Sequence, residues 1–503
     1  MAATRRVRQT RRERAAATTG AVILPVPLGG CYCPLDGAGV SAVVDTAFGI
    51  LEQIGLAAPG GILDSLLAAG AADMRDGRVF FPRSAVEDVL SRAPSTVALP
   101  GFLDSTGLQI GGGAVHAGTG GAAVQVLDAR DGGYRDSTLD DLSRMMRVLD
   151  RCENVSYGLR PLIARDLDNP FELDINTAFA CMAGTAKPIG ISFDSADHVA
   201  PVASMFDKAL GGEGRFRRQP FCMAVVVHVV PPLRFAPEGC AVLAEAIGAG
   251  MIPQICSAGQ AGATSPASLA GSLAQGLAEC LAGMMLVEAI RPGHPCIYAF
   301  MPFISDLRTG AMSGGSGEAA VASAAAAQLL LHLGLPSTVS AGITDAKIAD
   351  AQAGYEKGYT VALSAHAGAD MINLSVGMLG SIMVASPEAL VIDDEMCGAI
   401  LRSVRGVDLE AGGLDLDAIA RVVGGEGHYL GEPETLQLMK TEYVYPRLAD
   451  RNSVDDWQAA GGTSIWERAR ARVDEILSSP PSSHLSAAAQ TEIRMRFPIR
   501  LDP

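Results

Sequence analysis

The feature that most constrains this chain is a rhythm through its middle. Short β-rich apolar runs alternate with longer Ala-rich amphipathic segments about every 30 to 45 residues. The apolar runs are Val155–Leu162, Pro188–Phe193, Phe221–Val230, Met251–Cys256, Pro295–Phe303, Pro336–Ser340, Met371–Val376 and Ser381–Ile392. The clearest helical stretches between and after them are Ala200–Leu210, Glu238–Ala249, Ser265–Ile290, Gly317–Leu333, Asp350–Ala367 and Pro387–Val404. Nearly continuous apolar strands separated by helices mean a parallel sheet covered by helices. Eight such units fit a closed (β/α)8 barrel better than an open sheet. Gly111-Gly112-Gly113 and Gly118-Thr119-Gly120-Gly121 lack the G-x-G-x-x-G spacing of a dinucleotide-binding turn and read as tight turns and bulges.

The predicted fold class is therefore α/β, a (β/α)8 TIM barrel with an N-terminal α+β extension and a C-terminal helical tail. The expected boundaries are a basic flexible arm at 1–20, the extension at 21–150, the barrel at 151–405, a helical segment at 406–478 and a flexible tail at 479–503. Thr264-Ser265-Pro266 predicts a helix start with Ser265 as N-cap and Pro266 at the first helical position. The arm carries six Arg within its first 14 residues, and the apolar stretch after it is short and broken by Pro25 and Pro27, unlike a secretory signal.

Hydrophobic residues at 49% allow a large core, and a net charge of −16 argues against nucleic acid or an anionic membrane as partner. It suits a cationic or zwitterionic small ligand. No uncharged, turn-free apolar run approaches the ~18 residues of a membrane span. Ten Cys, mostly single and within apolar runs, point to a reducing, cytoplasmic setting. Neither H-E-x-x-H nor a Cys/His cluster occurs, so no metal site is predicted.

Barrel active sites lie at the C-terminal ends of the strands. That rule selects Arg160, His228, Gln254, Gln260, Asp306, Arg308, Asp345 and Asn373 among the strand-end polar residues. His228, inside Val225–Val230 and before a double proline, reads as a core histidine or as an acid/base at the mouth. Asp306 reads as a cap or partner of Arg308, or as a carboxylate for a cation. Tyr298, Phe300, Phe303 and Tyr355 read as ordinary core or as a cage for an alkylated ammonium, attracted by ring faces.

Several blocks resemble the trimethylamine methyltransferase family, the corrinoid-protein Co-methyltransferases. They are the basic start Arg5-Arg6 and Arg11-Arg12, Gly259-Gln260-Ala261-Gly262-Ala263-Thr264-Ser265-Pro266-Ala267-Ser268-Leu269-Ala270-Gly271, Thr344-Asp345-Ala346-Lys347, and Asp350-Ala351-Gln352-Ala353-Gly354-Tyr355-Glu356. Gly427-His428-Tyr429-Leu430 and Tyr445-Pro446-Arg447-Leu448-Ala449-Asp450-Arg451 continue the likeness, which spans about residues 5–478. Glu432-Pro433-Glu434-Thr435 departs from it, since a His is expected before the Thr.

The resemblance implies a barrel that moves a methyl group from an amine to the cobalt of a corrinoid on a separate protein, with no cofactor bound by the chain itself. Founding members carry a pyrrolysine; this sequence has none. A tertiary amine would have to expel an amide anion, a poor leaving group, whereas a quaternary ammonium releases a neutral amine. The expected substrate is thus glycine betaine, then proline betaine, carnitine or choline. Positioning alone can supply roughly 7 kcal/mol at the low end of its range. The resemblance, combined with strand-end position, makes His228, Asp306 and Asp345 the expected catalytic or orienting residues. Tyr298, Phe300, Phe303, Tyr355, Arg308, Arg160 and Gln260 become the expected substrate-binding residues. A homo-oligomer is expected. Two alternatives remain open: demethylation of trimethylamine, a sulfonium or another methylated compound, and a non-catalytic binding protein for methylated osmolytes.

Overall fold

Eight short strands close on themselves because each is buried on both faces along nearly its whole length and can satisfy its backbone only between two parallel neighbours. The computed structural model describes residues 26–58, 72–409, 415–482 and 484–502; the predicted basic arm at 1–20 lies outside them. The ring strands are β1 His116–Gly118, β2 Val155–Leu159, β3 Ile189–Ile191, β4 Cys222–Val227, β5 Pro253–Ser257, β6 Ile297–Phe300, β7 Ser337–Ser340 and β8 Met371–Asn373. They form a closed barrel in chain order, with β8 parallel to β1.

A helix follows each strand: α1 Leu139–Asp150, α2 Pro170–Gly184, α3 Val199–Ala209, α4 Pro237–Ala249, α5 Leu269–Ile290, α6 Gly317–His332, α7 Ala351–His366 and α8 Pro387–Val404. The cap of α5 is Ser268, whose side chain accepts from the Gly271 amide, and not the predicted Ser265. α5 is apolar almost all round because it is enclosed by the barrel, the N-terminal helix Gly37–Gly49 and neighbouring helices. Among the described residues it alone is long and apolar enough to cross a membrane, and it is buried within the fold.

Three expected boundaries move. The ring opens at His116–Gly118, inside the stretch assigned to the N-terminal extension. The run Ser381–Ile392 supplies no ring strand; it divides between Val384–Ala385, in a small side sheet, and the first turns of α8. The tail at 479–503 is not loose: a helix spans Ala487–Arg496, and its fully buried Ile493 joins the main core. Burying such a side chain contributes about 2 kcal/mol.

The hairpin Val97–Leu99 with Leu108–Ile110 plugs the barrel from below, where Val97, Leu99 and Ile110 share one apolar cluster with Tyr157, Met223, Ile297 and Met371. On the other face, loops add two small sheets. Gln125–Leu127 and Tyr134–Asp136, after β1, join Val384–Ala385 and Met378–Leu379, after β8. Gln260–Ala261 pairs with Phe303–Ile304 beyond β5 and β6. Residues 405–445 belong to a second compact unit, with helices Leu416–Gly424 and Pro433–Leu438. There Asp415 caps the first helix by accepting from the Asp417 and Ala418 amides.

Candidate active site at the barrel mouth

Alternation along each strand decides which side chains line the interior. Tyr157 and Leu159 on β2, Met223 and Val225 on β4, Ile297 on β6 and Met371 on β8 pack together inside the ring. The strand registers carry this inward face to Gly190 beside Met223, Gln254 beside Val225 and Ile297, and Thr338 beside Ala299 and Met371. Gly118 lies beside Tyr157. The strand stagger brings Gly118, Gly190, Gln254 and Thr338, from alternate strands, to one level, as (β/α)8 interiors are packed. The two glycines are required there. A Cβ on Gly118 would collide with the Tyr157 ring, and one on Gly190 with Leu159.

Above that level the inward residues are small or apolar. Ala299 and Asn373 stand on β6 and β8, and Cys256 and Ser340 are buried on β5 and β7. Val227, inward at the end of β4, is 52% exposed at the rim. The polar groups are unevenly satisfied. Tyr157 donates its hydroxyl to Asn373 Oδ1 at 2.8 Å. Both amide atoms of Gln254 and Oγ1 of Thr338 are buried without a partner. Each such atom costs about 1–3 kcal/mol, so this level is primed for a polar ligand or water. Gln254→Leu removes no hydrogen bond and one orphaned amide. Thermal denaturation is expected to show unchanged or higher stability, by up to about 1 kcal/mol.

The residues singled out from sequence are mostly placed elsewhere. His228 faces outward, fully buried against α5, with Nε2 donating to the Glu279 carbonyl at 2.9 Å. Burial pushes its pKa down to about 4. It is a neutral core histidine, so an acid/base role at the mouth is not what its position offers. Tyr298 and Phe300 also face the helices; Phe300 fills the space over Gly276 of α5. Tyr355 is 60% exposed on α7, and Phe303 is half-buried on its small strand. Among the described residues, none of these four rings pairs with another aromatic ring. The expected aromatic cage is therefore not assembled. Gln260 and Phe303 do meet, as partners in the two-stranded extension.

Arg308 is exposed and holds Asp306 with two hydrogen bonds of 2.9 and 2.8 Å. Those bonds, with a backbone one, hold the Asp306 carboxyl down to about 2. Both residues are thus committed to each other on a loop. Arg160 follows β2 on the outward face, half-buried, and desolvation lowers its pKa. Asp174 on α2 attracts it but instead accepts from His198 Nδ1 at 2.7 Å and the Asp194 amide at 2.8 Å.

Asp345 is a staple. Its carboxylate accepts from the Gly314 and Gly315 amides at 3.1 and 3.4 Å and from Ser381 Oγ at 2.6 Å, tying together loops beyond β6, β7 and β8. Beneath it, Glu356 accepts from Thr344 Oγ1 and the Asp345 amide. Asp345→Ala is expected to cost about 1–3 kcal/mol and to open the loop at 305–316 to limited proteolysis, whereas Asp345→Asn retains much of the wild-type resistance.

Among the described residues, no three His, Cys, Asp or Glu side chains gather to hold a metal ion. What the mouth offers is positioning: the apolar Val227 at its rim and, deeper, the orphaned neutral polar groups of Gln254 and Thr338. A family profile described as trimethylamine methyltransferase matches residues 3–500. The chain belongs to the trimethylamine methyltransferase family. It is accordingly a methyltransferase. It is 30% identical to glycine betaine methyltransferase of Desulfitobacterium hafniense, over 88% of this chain and 92% of that one. It is 31% identical to trimethylamine methyltransferase MttB of Methanosarcina barkeri, over 80% and 81%. The crystal structure of Methanosarcina barkeri monomethylamine methyltransferase covers 89% of this chain and 95% of its own, with 14% identity and a TM-score of 0.46.

Of the inward-facing residues at this candidate site, Tyr157, Thr338 and Val227 were not singled out from sequence. Gln254 and Asn373 were visible as strand-end polar residues, but nothing in two-sided apolar strands marks which face turns inward.

Proposed function

We propose that this methyltransferase demethylates a quaternary amine, glycine betaine first, and passes the methyl to the Co(I) corrinoid of a separate protein. The observation that carries the reading is the end-to-end likeness to glycine betaine methyltransferase. Chemistry supports it. The Co(I) electron pair forms the Co–C bond while the C–N pair returns to nitrogen, giving methyl-Co(III) and a neutral tertiary amine. A quaternary donor needs no prior activation, and the sequence carries no pyrrolysine to supply one.

The chain's own contribution is orientation and exclusion of water. Val227 offers an apolar rim to the methyl groups, with Val225 below it beside Gln254. Gln254 Nε2 and Thr338 Oγ1, unpartnered on the inner face, are the donors for the carboxylate. The expected products from glycine betaine are dimethylglycine and methylated corrinoid in equal amounts. Steady-state turnover across glycine betaine, proline betaine, carnitine, choline and trimethylamine tests the reading; turnover of trimethylamine alone overturns it. Gln254→Leu is expected to raise the KM for betaine about tenfold, which one lost hydrogen bond to a charged group can produce.

A further inference from the structure

The helix Leu416–Gly424, in the unit at 405–445, turns its apolar stripe to solvent. Leu416, Ile419 and Val423 stand at i, i+3 and i+7, on one face of the helix, and all three are exposed. Val422 is the only buried residue of that helix. Leu436, Tyr443 and Tyr445 expose further apolar area in the same unit. An apolar stripe left on a surface marks a docking face.

Charge says what covers it. Residues 405–445 hold three basic side chains, Arg405, Arg421 and Lys440, against eight acidic ones, a net of −5. Two of those bases are already taken: Arg421 pairs with Glu432 at 2.9 Å and Arg405 with Glu442 at 3.8 Å. A second copy of this face would therefore meet like charge. The N-terminal segment 1–25 is its complement. It holds six Arg against one Glu, a net of +5, followed by the apolar Val22-Ile23-Leu24.

The course of the chain favours the same pairing. Val26 and Pro27, which continue that segment, belong with residues 405–445 to one compact unit. The chain also enters and leaves the barrel body at one spot, the end of α7. There the Gly30 and Tyr32 amides donate to the His366 carbonyl at 2.8 and 3.0 Å, and His366 Nε2 bonds Ser403 Oγ at 3.0 Å. A segment of this length reaches up to about 80 Å when extended, several times the ~14 Å of the helix it would cover.

We propose that the N-terminal segment docks on residues 405–445 of its own chain, with Val22-Ile23-Leu24 against the stripe of Leu416, Ile419 and Val423 and the arginines before them against the acids of that unit. The proposal is independent of the reading of the methyl donor.

Trypsin, which cuts after arginine, reads this docking in the full-length protein. At low salt, cleavage after the six arginines of the segment is expected to be at least tenfold slower in wild type than in the double variant Ile419→Asp with Val423→Asp. Both positions are exposed, so the core is untouched. Raising the salt to about 0.5 M, which shortens the screening length to ~4 Å, is expected to speed cleavage of wild type without any substitution. Co-expression with an excess of the variant separates the two possible occupants, because the two chains differ in mass. Wild-type segments that stay protected in such mixtures support docking within one chain. Wild-type segments that lose protection there assign the face to a second copy and overturn the proposal. Equally fast cleavage of wild type and variant, or cleavage of wild type indifferent to salt, also overturns it.

Discussion

Lys357→Met is expected to destabilise the protein by about 3–5 kcal/mol, the cost of leaving one member of a buried ion pair alone. Lys357 Nζ donates to Asp393 Oδ2 at 2.5 Å, and the two side chains are 2% and 6% exposed. The same carboxylate oxygen accepts from the Gly377 amide at 2.8 Å, in the loop leaving β8. Burial pushes the Asp393 carboxyl up, and Lys357 opposes that push. Without the lysine, Asp393 must either remain charged in an apolar interior or take up a proton and weaken its hold on Gly377. The double variant Lys357→Met with Asp393→Leu is expected to recover most of the loss, because the desolvation cost disappears with both charges. Chemical denaturation of the three variants measures this directly. A single variant as stable as wild type would show that the pair is not buried as described.

The second large effect is a pH dependence. The folded protein holds His228 at a pKa of about 4, against 6.5 when unfolded. Between those values the unfolded chain binds the extra proton and the folded one does not, so stability rises with pH. It is fully present above about 6.5, falls as the pH drops, and levels off below about 4. The difference amounts to about 3 kcal/mol. Buried carboxylates with raised pKa, such as Glu279 and Asp370, act with the opposite sign. The comparison that isolates His228 is therefore wild type against His228→Gln, with stability followed from pH 7 to pH 4. The variant is expected to lose the His228 slope across that window. Parallel curves would contradict the burial of a neutral imidazole behind β4.

The barrel was legible because its logic is repetitive. Seven of the eight apolar runs became ring strands, and the six helical stretches named from sequence began within a few residues of their expected starts, while α1 and α2 were not among them. The strand at His116–Gly118, within β-like runs expected around Gly107–Asp128, was not recognised as a ring strand for a physical reason. It is three residues long, ends in glycine, and leads into more glycines that resemble a turn; its glycine is there to make room for the Tyr157 ring. The run at 381–392 misled because an apolar stretch does not distinguish a strand from the buried start of a helix.

The site was less legible than the fold. Position along a strand is visible in a one-dimensional pattern, but facing is not when both faces are apolar. His228, Tyr298 and Phe300 sit at the right height and turn outward, while Gln254 and Thr338 turn inward. A one-residue shift along β6 exchanges the ring of Tyr298 for the methyl of Ala299. Asp345 sits near the mouth, yet its carboxylate is spent on loop amides and Ser381.

Single-turnover transfer from glycine betaine labelled with 13C in its methyl groups tests the central claim most directly. The protein is mixed with a corrinoid protein reduced to Co(I), and the label is followed by NMR. The account predicts a labelled methyl on cobalt, with one dimethylglycine released for each methyl transferred. Betaine that binds without any label reaching cobalt, while the corrinoid stays as Co(I), would contradict it.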